Sequence, residues 1–192
     1  IALYAFVIIS FFITIVDIII RFPLQSEMID YNDIQAIVIN VLALLIQIVF
    51  FAYGFVNAIR GMLSPKRMGA VIVAFFAATC ITGTGNMVIY SNVQIVLWWI
   101  VLIIPNIVGA VATFAYFVLG KKSKIYSIII YLVAIWGMFR IIYSNYNLIV
   151  HANQYLSMNS TVRLVLGIAI HCLVIYQTYV LWIKRQNATD IS

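Results

Sequence analysis

Cations recur in every second connection of this chain, and that alternation limits the folds open to it. Six apolar stretches are joined by five short connections. Arg60, Lys66 and Arg67 lie between the second and third stretches. Lys121, Lys122 and Lys124 lie between the fourth and fifth, and Lys184 and Arg185 follow the sixth. The intervening connections hold Glu27, Asp30 and Asp33, or the uncharged pair Ser91-Asn92, or a single flanking Arg163. Cytoplasmic loops of membrane proteins carry the excess of Lys and Arg. The pattern therefore predicts an all-α fold: a polytopic membrane helix bundle with six transmembrane helices, its N-terminus and C-terminus both cytoplasmic.

Composition supports lipid as the solvent. The chain is 66% hydrophobic and 8% charged, whereas soluble domains carry about 25% charged residues. Six spans of about 20 residues each need roughly 120 residues. What remains is too short for a soluble domain, so residues 1–192 are expected to form a single transmembrane domain. The expected spans cover about 1–21, 34–59, 68–90, 93–119, 125–143 and 162–183, with Pro23 ending the first. That first stretch lacks the basic flank of a signal peptide and counts as a span. The net charge of +6 sits in the connections that must meet anionic lipid headgroups, so nucleic acid is not an expected partner. The expected location is the cytoplasmic (plasma) membrane. Cys80 and Cys172 both fall inside spans, which argues against a disulfide framework.

Polar residues inside spans are costly in hydrocarbon and are the first place to look for function. Asp17 is the only acid within a span, and Arg21, four residues on, or Arg140 of span five is its expected partner. Span three carries Thr79, Thr82, Gly83, Thr84, Gly85 and Asn86 near its outer end. Pro105-Asn106 interrupts span four near its middle, where Pro leaves the Val101 carbonyl without its helical donor. His171 lies near the centre of span six, and Gln47 of span two is its expected partner. Ala70, Ala74 and Ala78 on span three, with Gly109 and Thr113 on span four, form small-residue stripes that suit close packing of those two helices. Residues 143–155, rich in Tyr and Asn, form the longest outer connection. Asn159 and Asn187 each open a glycosylation-type triplet, on opposite sides of the predicted membrane.

From these the expected ligand contacts are Asp17, Thr84, Asn86, Asn106 and Arg140, in an outer-half site lined by spans one, three, four and five. No catalytic residue, metal site or cofactor is expected. No span presents paired carboxylates, a metal cluster, or a nucleophile with its base. The segment Ile29-Asp30-Tyr31-Asn32-Asp33-Ile34-Gln35-Ala36 resembles the one that opens the second helix in substrate-binding S-components of energy-coupling-factor vitamin transporters. Ile104-Pro105-Asn106 with Gly109 is similar to a late helix of that family. Gln35 stands where the family has proline, the second match falls in span four instead of the last, and span one offers only Ala2 and Ala5 toward the family's alanine docking motif. The resemblance implies a solute-binding membrane subunit and names no ligand. The expected function is solute handling, as a transporter or its membrane substrate-binding component, with a small polar ligand and a partner membrane or cytoplasmic subunit. The alternative is a membrane sensor or structural subunit acting through partner proteins; a channel is a third option.

Overall fold

The computed structural model describes residues 1–25, 31–89, 93–144 and 158–189. Within these, the side chains of 3, 17–25, 31–33, 86, 93–95, 98–99, 144, 158–163 and 187–189 lie outside what is described. The protein is helical, with no strand among the described residues. Among the described residues six helices are found: α1 (Ala2–Gln25), α2 (Tyr31–Ile59), α3 (Pro65–Ile89), α4 (Val93–Thr113, continued by a π-helical turn Phe114–Val118), α5 (Lys124–Ser144) and α6 (Met158–Thr189). Five of them contain stretches long and apolar enough to cross a membrane: Ile34–Ile59, Pro65–Ile89, Ile100–Val118, Lys124–Tyr143 and Leu164–Gln186. The corresponding described run of α1, Tyr4–Val16, is shorter. Pro23 does not end α1, which runs on to Gln25. Only the amide of a proline is lost to the ladder, and the rest of the turn carries the helix past it.

Local chemistry sets the turns. α2 ends at Gly61, whose φ of 65° is open to glycine at little cost. Gly61 N–H donates to the Ala58 carbonyl and Met62 N–H to the Asn57 carbonyl, at 3.2 and 2.9 Å. This paired arrangement satisfies two carbonyls that the helix end would otherwise leave orphaned. Ser64 then caps α3, its hydroxyl accepting from Arg67 N–H at 3.4 Å, and Pro65 takes the first helical position. α4 closes differently. Leu119 N–H reaches back to the Phe114 carbonyl at 3.0 Å, a π-type bond, and Gly120 with φ 69° breaks the run.

The helices form a ring. Among the described residues each packs on its neighbour in the chain, α6 closes back on α1, and α3 reaches across to touch α6. α3 packs most extensively on α4 and α2, as the small-residue stripes predict. At Gly109 a Cβ would stand 2.9 Å from Val133 Cγ1 and 3.1 Å from the Phe76 ring, so the bare glycine sets the spacing there. The interior is aromatic, with Phe11, Phe51, Phe76, Tyr116 and Phe117 all essentially sealed from solvent. Gln177 donates its amide N–H to the Tyr4 hydroxyl and joins α6 to α1 in this core. Outward faces are apolar too: Val38, Leu42 and Val49 on α2 and Ile128, Leu132 and Phe139 on α5 are exposed. A helix apolar on every side is the mark of a chain solvated by lipid.

Two arginines fasten the basic end. Arg67 Nη1 donates to Asn57 Oδ1 and to the Met62 carbonyl, both at 2.7 Å, and braces the α2–α3 turn. Arg185 lies over the Tyr116 ring, 4.2 Å from its centroid. Its Nη2 donates to the Tyr116 carbonyl at 2.7 Å and its Nη1 to that of Lys121 at 3.0 Å. The end of α6 is thereby tied to the π-helical turn, whose surplus carbonyls need donors. Arg60, Lys66, Lys121, Lys122, Lys124 and Lys184 remain exposed around these clamps.

Candidate functional site

A cavity of about 450 Å³ opens among α1, α2, α3 and α6. It lies in the half of the bundle away from the basic end: Asn40 is 20 residues before Arg60 along α2, roughly 30 Å at helical rise. α1 packs on both α2 and α6, while no comparable packing joins α2 to α6. The gap between them becomes the cavity. Its walls are largely apolar, including Phe11, Ile37, Leu44, Leu166 and Ile170. One face of α2 supplies most of the lining. Asn40 and Gln47, seven residues apart, come round to the same side two turns on.

The polar groups of this cavity differ in how they are committed. Thr14 donates its hydroxyl proton to the Ser10 carbonyl at 2.9 Å, leaving the oxygen as an acceptor. Asn40 donates Nδ2–H to the Ala36 carbonyl at 2.8 Å and keeps Oδ1 for a partner in the cavity. Thr82 of α3 and Gly167 of α6 complete the polar rim. Gln47 is 9% exposed, and among the described residues its amide makes no hydrogen bond. Gln47 therefore brings to the cavity a donor and an acceptor, neither committed to the protein among the described residues. With walls of mixed character and a few convergent polar groups, the cavity has the size and chemistry of a small-molecule site.

A second hollow, about 510 Å³, is a groove between α2 and α3 lined by Ile34, Gln35, Val38, Ile39, Thr84, Gly85, Val88 and Ile89. Val38 and Val88 are exposed, so it faces outward, and its character is apolar. Gly85 keeps α3 close to α2 here: a Cβ would lie 2.7 Å from Ile39 Cδ1.

The residues expected to bind ligand are placed in different surroundings. Thr84 is exposed on the outward groove. Asn106 is 8% exposed and donates its amide to the Leu102 carbonyl at 2.7 Å, one turn back on its own helix. Beside it the Cys80 thiol points to the Ile103 carbonyl at 3.8 Å, so carbonyls beside Pro105 have side-chain donors. Arg140 is half-buried on α5. Neither Asn106 nor Arg140 lines the cavity or the groove. The backbones of Asp17 and Asn86 belong to α1 and α3. Their side chains, and with them the expected pairing of Asp17 with Arg21 or Arg140, lie outside the described residues.

His171 corrects an expectation. Its partner is not Gln47 but the Gly167 carbonyl, 2.7 Å from Nδ1. The backbone one turn back is always within reach of a helical His, whereas Gln47 sits across the cavity. Phe75 meets the imidazole edge-on at 5.2 Å between centroids, and Gly137 of α5 lies against Nε2. Thr14 and Asn40 carried no warning in the sequence beyond being polar within a span. The seven-residue spacing of Asn40 and Gln47 was the legible signal. Comparison with known protein families, with curated proteins and with solved structures finds nothing that matches this chain.

Proposed function

We propose that the chain is a solute-handling subunit of a membrane, a transporter or its substrate-binding component, and that its site is the cavity among α1, α2, α3 and α6. In this reading all six helices cross the bilayer. The arginine-clamped end is cytoplasmic, both termini lie on that side, and the cavity falls in the outer half. The charge alternation and the apolar outward faces support the topology. The observation that carries the function is a cavity of about 450 Å³ lined by Gln47, whose amide has no protein partner among the described residues. The proposed site shares α1 and α3 with the expected one and draws on α2 and α6 in place of α4 and α5. Within it Thr14, Asn40, Gln47 and Thr82 take the place of Asn106 and Arg140.

Native mass spectrometry of the protein in lipid nanodiscs, after exposure to a small-molecule cell extract, tests this. The wild type should retain a small solute that Ala43→Phe, which fills the cavity from α2, does not. Equal retention by both, or none by either, would leave the sensor or structural role as the better reading.

A further inference from the structure

The cavity's donor and acceptor balance identifies a ligand class. Among its described lining residues none is charged. Arg140 stands elsewhere on α5, and the cations of the basic end begin 13 residues beyond Gln47 on α2 and 14 beyond Ile170 on α6, roughly 20 Å at helical rise. An ionic ligand would lose hydration in a largely apolar cavity with no counter-charge among its described lining residues, which is unfavourable. The available groups are Thr14 Oγ1, whose proton is donated to the Ser10 carbonyl, and Asn40 Oδ1 with the second of its Nδ2 protons, the first being donated to the Ala36 carbonyl. Beside them the Gln47 amide offers both a donor and an acceptor. The apolar walls of Phe11, Ile37 and Leu166 suit the rest of the molecule.

Resting on the reading above, we infer that the cavity takes a small uncharged molecule, largely apolar, with a head that donates and accepts hydrogen bonds side by side, as a carboxamide does. Gln47 is the residue that selects this head. Its amide can pair with a carboxamide in two antiparallel bonds, the Nε2–H donating to the ligand carbonyl and Oε1 accepting from the ligand N–H. Asn40 Oδ1 and Thr14 Oγ1 accept the second ligand proton. A carboxylate of the same shape loses both donated bonds and faces acceptors with its charge. An ammonium keeps the acceptors but has no counter-ion among the described lining residues.

Three probes of one shape separate these cases: para-fluorobenzamide, para-fluorobenzoate and para-fluorobenzylamine. Binding is read by fluorine resonance on the protein in nanodiscs at neutral pH, with Ala43→Phe as the filled-cavity control and Gln47→Leu and Gln47→Met as selectivity variants. The benzamide should bind the wild type at least tenfold more tightly than either charged probe. Both Gln47 variants should weaken it about tenfold, the worth of two ordinary hydrogen bonds, and Ala43→Phe should abolish it. Tighter binding of a charged probe that Ala43→Phe removes would overturn the inference while keeping the cavity as a site. So would an unchanged benzamide affinity in both Gln47 variants, or an amine preference that vanishes in Asp17→Asn. No binding of any probe that depends on Ala43 would overturn the inference and the proposed function together.

Discussion

Gly137→Ala tests the packing that sets α5 against α6. The added Cβ would lie 2.0 Å from His171 Nε2 and 2.6 Å from its Cδ2, far inside ordinary contact. The imidazole cannot yield freely, because its Nδ1 is bonded to the Gly167 carbonyl at 2.7 Å and its edge rests on Phe75. Relieving the overlap therefore breaks that bond, worth about 0.5–1.5 kcal/mol, and the aromatic contact, worth about 0.5–1.5 kcal/mol. The sum, about 1–3 kcal/mol, matches the usual cost of overpacking a core. At about 2–4 °C per kcal/mol for a chain of this size, the melting temperature in mild detergent should fall by several degrees. The double variant Gly137→Ala/His171→Ala decides the cause. Removing the ring should cost less in the alanine background than in the native one, with a coupling of about 1 kcal/mol or more. Purely additive effects would refute the argument.

Other expectations follow from the turns and clamps. Gly120→Ala forces a side chain into the left-handed region at φ 69° and should lower stability by about 1–2 kcal/mol, read as a lower melting temperature; Gly61→Ala should behave alike. Arg67→Ala removes two hydrogen bonds from the α2–α3 turn. Partial exposure limits the loss to about 1 kcal/mol, and cleavage of that turn by added protease should quicken in inside-out vesicles. Asn106→Ala strips the Leu102 carbonyl of its added donor beside Pro105 and should cost about 1 kcal/mol in thermal stability. It should leave retention of any solute in the α1–α2–α3–α6 cavity unchanged, because Asn106 does not line that cavity.

The helices were legible in the sequence because the apolar runs are long and nearly free of charge. A chain with few charges must satisfy its backbone internally, so apolar runs between charged turns become helices. Gly61, Ser64-Pro65 and Gly120 punctuate them where the structure turns. The site was less legible. Spacing along one helix shows which residues share a face, but not which neighbour that face meets. Asn106, expected to meet a ligand, donates one amide proton to the carbonyl a turn back on its own helix. His171 looked in need of Gln47 and found a carbonyl four residues back. Asn40 and Gln47 gained their importance only when α1 wedged α2 and α6 apart, a tertiary event that no single helix encodes. Pro23 misled for a related reason, since losing one amide bond does not oblige a helix to stop.

The account stands or falls on whether the cavity holds water and opens to the outer side. Thiols react as thiolates, which form in water and not in hydrocarbon. In a Cys80→Ala/Cys172→Ala background, Asn40→Cys on the cavity wall should react with the permeant reagent N-ethylmaleimide, whereas Leu42→Cys on the exposed apolar face of α2 should not. Pretreating intact cells with a membrane-impermeant thiol reagent should block the Asn40→Cys reaction and spare a Ser123→Cys control at the basic end. Asn40→Cys as silent as Leu42→Cys, or blocking confined to Ser123→Cys, would contradict the outward-facing solute cavity.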